Sequence, residues 1–79
     1  MQEQIIDLLS QATGRDAEDF SDASQNLFDS GLLDSMATVG LLLSLQDTFD
    51  IQVPVSEFDR EQWNTVEKIE QRVKELQNA

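Results

Sequence analysis

The chain has no cysteine and no histidine, few basic residues, and no long uninterrupted apolar run. Without cysteine there can be no disulfide, no thiolate chemistry and no sulfur-ligated metal, which suits a reducing compartment. Without histidine the usual base for a serine nucleophile is missing; no lysine occurs before Lys68, and no GxSxG elbow is present. A self-contained hydrolase is therefore not expected. No segment approaches the roughly 20 apolar residues of a membrane span, and MQEQIIDLLSQATG lacks the basic start and apolar run of a signal peptide. These absences give the expectation of a soluble, cytoplasmic protein that does not insert into a membrane.

Basic residues are scarce: sixteen acids face five bases, a net charge of -11. Residues 1–50 hold ten of the acids and a single base, Arg15, whereas Arg60, Lys68, Arg72 and Lys74 all lie beyond them. Such a surface repels nucleic acid and anionic lipid, which are bound chiefly through Lys and Arg contacts to phosphate. Partners with basic patches are expected, and attraction would speed their encounter. Charge alone is also compatible with simple solubility. At 79 residues the chain is expected to form one domain, 1–79, with a small core, and nothing argues for more than a monomer.

What is present is helical periodicity. In QIIDLLSQA, Ile5, Leu8, Leu9 and Ala12 share one helical face, and Gly14 stands where a helix would stop. Residues 15–33 have no sustained period, yet Phe20, Leu27, Phe28, Leu32 and Leu33 are apolar, so this long connection is expected to be pinned to the core, with a short helical turn near Asp16 to Phe20. A second helix runs from Asp34, as N-cap, through SMATVGLLLSLQDTF to about Phe49. DIQVPV forms an extended link. Ser56 and Asp59 resemble a capping box that would start a brief third helix, and TVEKIEQRVKELQ forms the last, with Val66, Ile69, Val73 and Leu76 on one stripe. The resulting expectation is an all-α, four-helix bundle with a long first loop and a short third helix.

The second helix carries more apolar side chains than one buried face needs. Thr38, Leu41, Leu42, Leu45 and Phe49 can fill the core; Met36, Val39, Gly40 and Leu43 then make a second stripe at the same spacing. That stripe is either covered by the long loop or offered to a partner. Gly40 favours a partner, since a mid-helix glycine costs about 1 kcal/mol relative to alanine and lets another surface approach closely.

Ser35 follows Asp34 at the start of this helix. The commoner meaning of such a pair is a plain helix start. The acidic run Asp16, Glu18, Asp19, Asp22 lacks the spacing of a calcium loop and reads as a solvated stretch, so no metal site is expected. A serine on the first turn also has free backbone N–H groups and the positive end of the helix dipole beside it, which favours a phosphate ester at its hydroxyl. An external transferase would then supply the chemistry.

The segment LFDSGLLDSM, followed by an apolar helix and a short acidic third helix, resembles the acyl and peptidyl carrier proteins over nearly the whole chain. The resemblance implies that Ser35 receives 4'-phosphopantetheine from coenzyme A through a phosphopantetheinyl transferase, and that Asp34 assists by orienting the transferase's magnesium or the serine. Within that family, GLLDSMATVGLLLSLQDTFDIQVPVSEFDREQWNT is most similar to the carriers of D-alanine in teichoic acid D-alanylation, particularly at VPVSEFDR and Trp63-Asn64-Thr65. Fatty-acid carriers usually have carboxylates where Ala37 and Gly40 stand here. The implied cycle has a D-alanine-activating ligase form a thioester on the arm and a membrane-bound O-acyltransferase receive it on the cytoplasmic side, the carrier itself catalysing nothing. Met36, Val39, Gly40, Leu43 and Val55 form the expected partner surface, with Val55 and Phe58 flanking the arm. Trp63, Phe49 and Phe58 are read as packing residues. Because a small polar aminoacyl group gains little from an apolar cavity, the loaded arm is expected to lie mostly on the surface. The alternatives are a carrier of another acyl or aminoacyl group, and an acidic interaction module with no prosthetic group.

Overall fold

A computed structural model describes residues 1–53 and 58–78. Among them are three α-helices and two 3-10 turns: α1 (Gln2–Thr13), a turn at Ala17–Phe20, α2 (Ser35–Phe49), a turn at Arg60–Gln62, and α3 (Val66–Gln77). Helix α1 packs against both α2 and α3. It ends as its sequence requires: Gly14 adopts φ 71°, ψ 16°, a left-handed conformation that a side chain would disfavour, and donates its N–H to the Ser10 carbonyl. Ile5 and Leu9 are fully buried, with Ile6, Leu8 and Ala12 partly buried beside them.

The long connection is pinned, as its apolar residues suggest. Phe20, on the first 3-10 turn, and Leu27 and Leu33 are buried, with Phe28 and Leu32 packed partly against the core. Backbone bonds add to this: Leu27 N–H donates to Asn64 O at 2.7 Å, and Glu67 N–H to Ala23 O at 3.1 Å. The loop is thus tied to the entrance of α3, which satisfies backbone groups that burial would otherwise leave unpaired. Asn26 shapes its turn by accepting the N–H groups of Phe28 and Asp29 through Oδ1, both at 3.0 Å.

Thr65 caps α3 by accepting from Lys68 N–H at 3.0 Å, and Val66, Ile69 and Val73 are wholly buried, with Leu76 at the edge of the core. Trp63 is also in the core and stacks with Phe58, ring centroids 6.0 Å apart; Phe49 and Phe58 are only partly buried.

Ser56 lies outside the described residues. Asp59, the expected partner of Ser56 in a capping box, is the N-cap of the Arg60–Gln62 turn, its Oδ1 accepting from Glu61 N–H at 3.0 Å. The described residues therefore show three α-helices rather than four.

Candidate functional site

The start of α2 is built around Asp34. Its backbone is extended (φ -118°, ψ -178°), and its Oδ1 accepts from Ala37 N–H at 2.8 Å. Its carbonyl receives both Thr38 N–H at 2.9 Å and Thr38 Oγ1–H at 2.6 Å. Cap and buried threonine thus fix the first turn rigidly. The cap satisfies one of the amides that every helix start leaves open, while those of Ser35 and Met36 remain at the exposed end. Ser35 is the first residue of α2 and is exposed, and its hydroxyl forms no hydrogen bond among the described residues.

Beside Ser35 opens an apolar cleft of about 240 Å³. Val39, Leu42 and Leu43 form its α2 wall, and Val53, Phe58 and Phe28 close it from the other chain segments. Gln46 holds the far side in place, its Oε1 accepting from Val53 N–H at 2.8 Å. At the rim the Arg60 guanidinium lies 4.3 Å from the centre of the Phe28 ring, a cation–π contact that fixes one positive charge at the cleft. Thr38 adds no free donor, because its hydroxyl is bound to Asp34.

The second stripe of α2 is exposed, so cover by the long loop is excluded for it: Met36, Val39 and Leu43 are 87%, 56% and 61% accessible. The stripe is divided, however. Val39 and Leu43 share the cleft with Ser35, whereas Met36 borders a more polar depression with Asp34, Gly31 and Arg15, towards α1. Gly40 lies between them, half-exposed. Phe58 does line the cleft; Val55 lies outside the described residues. Phe28 as a wall and Arg60 as a rim charge were not singled out for this site from sequence. They lie far apart in the chain, and the bond from Leu27 to Asn64 and the turn at Arg60–Gln62 help to bring them together. The faint signal was an aromatic in the loop and a lone base in an acidic neighbourhood.

The acidic run in the first connection has a local use. Asp22 accepts from both Ser24 Oγ–H, at 2.7 Å, and Ser24 N–H, at 3.0 Å, bonds that hold its carboxyl below the usual carboxylate range. Among the described residues no group of carboxylates is arranged to hold a metal ion, and no helix is long and apolar enough to cross a membrane.

The chemistry available here is that of an anchored hydroxyl. It is accessible, sits at the positive end of a rigidly capped helix, and has no histidine or lysine beside it among the described residues, an arrangement suited to accepting a phosphoryl group from an outside enzyme. Comparison with known proteins agrees. Residues 3–73 match the family model for the phosphopantetheine attachment site. The chain is 57% identical over 79 residues to the D-alanyl carrier protein of Lactobacillus delbrueckii subsp. bulgaricus, covering 99% of this chain and 95% of the relative. It is 54% identical over 74 residues to that of Lactobacillus acidophilus, covering 94% and 91%, and 51% identical over 79 residues to that of Streptococcus uberis, covering 100% and 98%. A free hydroxyl at a helix start, with open amides and space around it, fits a covalently held 4'-phosphopantetheine. The chain belongs to the phosphopantetheine-attachment family of carrier proteins, and within it to the D-alanyl carrier proteins.

Proposed function

We propose that the whole chain acts as one non-catalytic D-alanyl carrier domain whose arm is attached at Ser35, and which passes D-alanine from an activating ligase to a membrane-bound O-acyltransferase for teichoic acid D-alanylation. The carrying observation is the exposed, unengaged Ser35 hydroxyl on the first turn of α2, in a chain that belongs to this family. When bound, the arm supplies a terminal thiol on which an acyl or aminoacyl group is held. Ser35 Oγ would attack the pantetheine-side phosphorus of coenzyme A's diphosphate, forming the phosphodiester as the bond to the departing 3',5'-ADP breaks, with the hydroxyl proton going to a base of the transferase. The amides of Ser35 and Met36 would face the resulting phosphodiester. Asp34 Oδ1 holds Ala37 N–H, which leaves Oδ2 for the transferase's magnesium.

The cleft also bears on cargo. An alanyl group carries an ammonium, whose transfer into an apolar cleft without a partner is costly. Arg60 at the rim adds a like charge. Both favour a loaded arm that stays outside, available to a partner, and the exposed Met36, Val39 and Leu43 beside Ser35 supply the docking surface, with Gly40 between them. By this account the protein works in the cytoplasm as a monomer.

The test is intact-protein mass spectrometry after incubation with coenzyme A and a broad-specificity phosphopantetheinyl transferase. Wild type gains one arm and a folded Ser35→Ala variant gains none. Equal gain in both, or none in either, contradicts attachment at Ser35.

A further inference from the structure

Gly40 lies in the interior of α2 and is not among the glycines with positive φ, which are Gly14 and Gly31. A Cβ built at Gly40 would meet nothing within 4 Å. Neither the backbone nor the packing of this chain therefore requires glycine there, although glycine in a helix interior lowers stability relative to alanine. The position is central to an exposed apolar stripe, with Met36 four residues before it, Val39 adjacent and Leu43 three residues after. Bare backbone flanked by three exposed apolar side chains is a notch.

We propose that this notch is a socket for one bulky apolar side chain of a protein partner whose surrounding surface is basic. The inference rests on the carrier reading and specifies how its docking face is recognised. The knob is implied by shape, since a missing side chain amid protruding ones leaves a hole of the kind helices fill when they interdigitate. The basic surround is implied by charge: the first 50 residues carry ten acids and one base, and Asp34 and Asp47 lie near either end of the stripe. The same field disfavours a second copy of this chain and an anionic lipid surface, which would bring like charges together.

Full-length wild type, Gly40→Ala and Gly40→Leu, each bearing the arm, would be titrated with purified D-alanine-activating ligase, with thermal melts alongside. Because the space is open, both variants fold, and Gly40→Ala melts about 4–8 °C higher. Affinity falls from glycine to alanine to leucine, by about tenfold or more at leucine, a loss of the size that overfilling a packed site produces. Affinity unchanged or rising along the series overturns the socket, since a plain apolar patch gains from each added carbon. A lower melting temperature for Gly40→Ala also overturns it, by showing that the fold itself requires the glycine. Wild type that accepts the arm yet binds no ligase overturns the D-alanine reading together with the socket, whereas the substitution series overturns the socket alone.

Discussion

Asp34 serves two demands with one carboxylate: Oδ1 completes the helix start, and its charge sits next to the Ser35 hydroxyl, the proposed point of attachment. These demands can be separated. Asp34→Ala removes cap and charge together and should cost about 1 kcal/mol, lowering the melting temperature by roughly 4–8 °C. Asp34→Asn keeps a capping oxygen, so it should melt close to wild type while accepting the arm more slowly. Thermal melts and transferase rates on the two variants check this; a melting temperature for Asp34→Asn as low as for Asp34→Ala would contradict the cap. At this scale the sequence was highly legible, because caps are short-range. Asp34 and Gly14 do what their positions predict, while Thr65, read as the first residue of the last helix, is its N-cap. Asp59 caps the Arg60–Gln62 turn, a role that the capping-box reading with Ser56 did not give it.

Helix α2 is where pattern and environment diverge. Its inner residues Thr38, Leu41, Leu42 and Leu45 are buried, while Met36, Val39 and Leu43 are exposed, so the helix is apolar on both sides yet buried on one. Periodicity revealed two stripes but could not tell which lay under the long loop, since that depends on where residues 21–33 cross the bundle. The loop is held instead to Asn64 and Glu67. A double variant, Val39→Glu with Leu43→Glu, should therefore fold with a melting temperature near that of wild type, as both side chains already meet water. It should also be loaded poorly by the ligase, because two carboxylates would replace apolar contact at the proposed docking face. Collapse of the fold in circular dichroism would show that the stripe is core.

On the scale of the whole molecule, charge and topology act together. Acids dominate the half containing α1, the first connection and α2, and the bases lie later, with Arg60 at the cleft and Arg72 5.9 Å from the Trp63 ring centre. The helical class and most of the core could be read from spacing alone. The cleft could not, because its walls come from three distant segments brought together by backbone bonds and by burial of Trp63. The most direct measurement is of cargo: the arm-bearing protein is incubated with D-alanine-activating ligase, ATP and D-alanine, and its intact mass is recorded. The account predicts that wild type gains one alanyl group and Ser35→Ala none. A folded, arm-bearing wild type that gains nothing, or a gain that persists in Ser35→Ala, would contradict it.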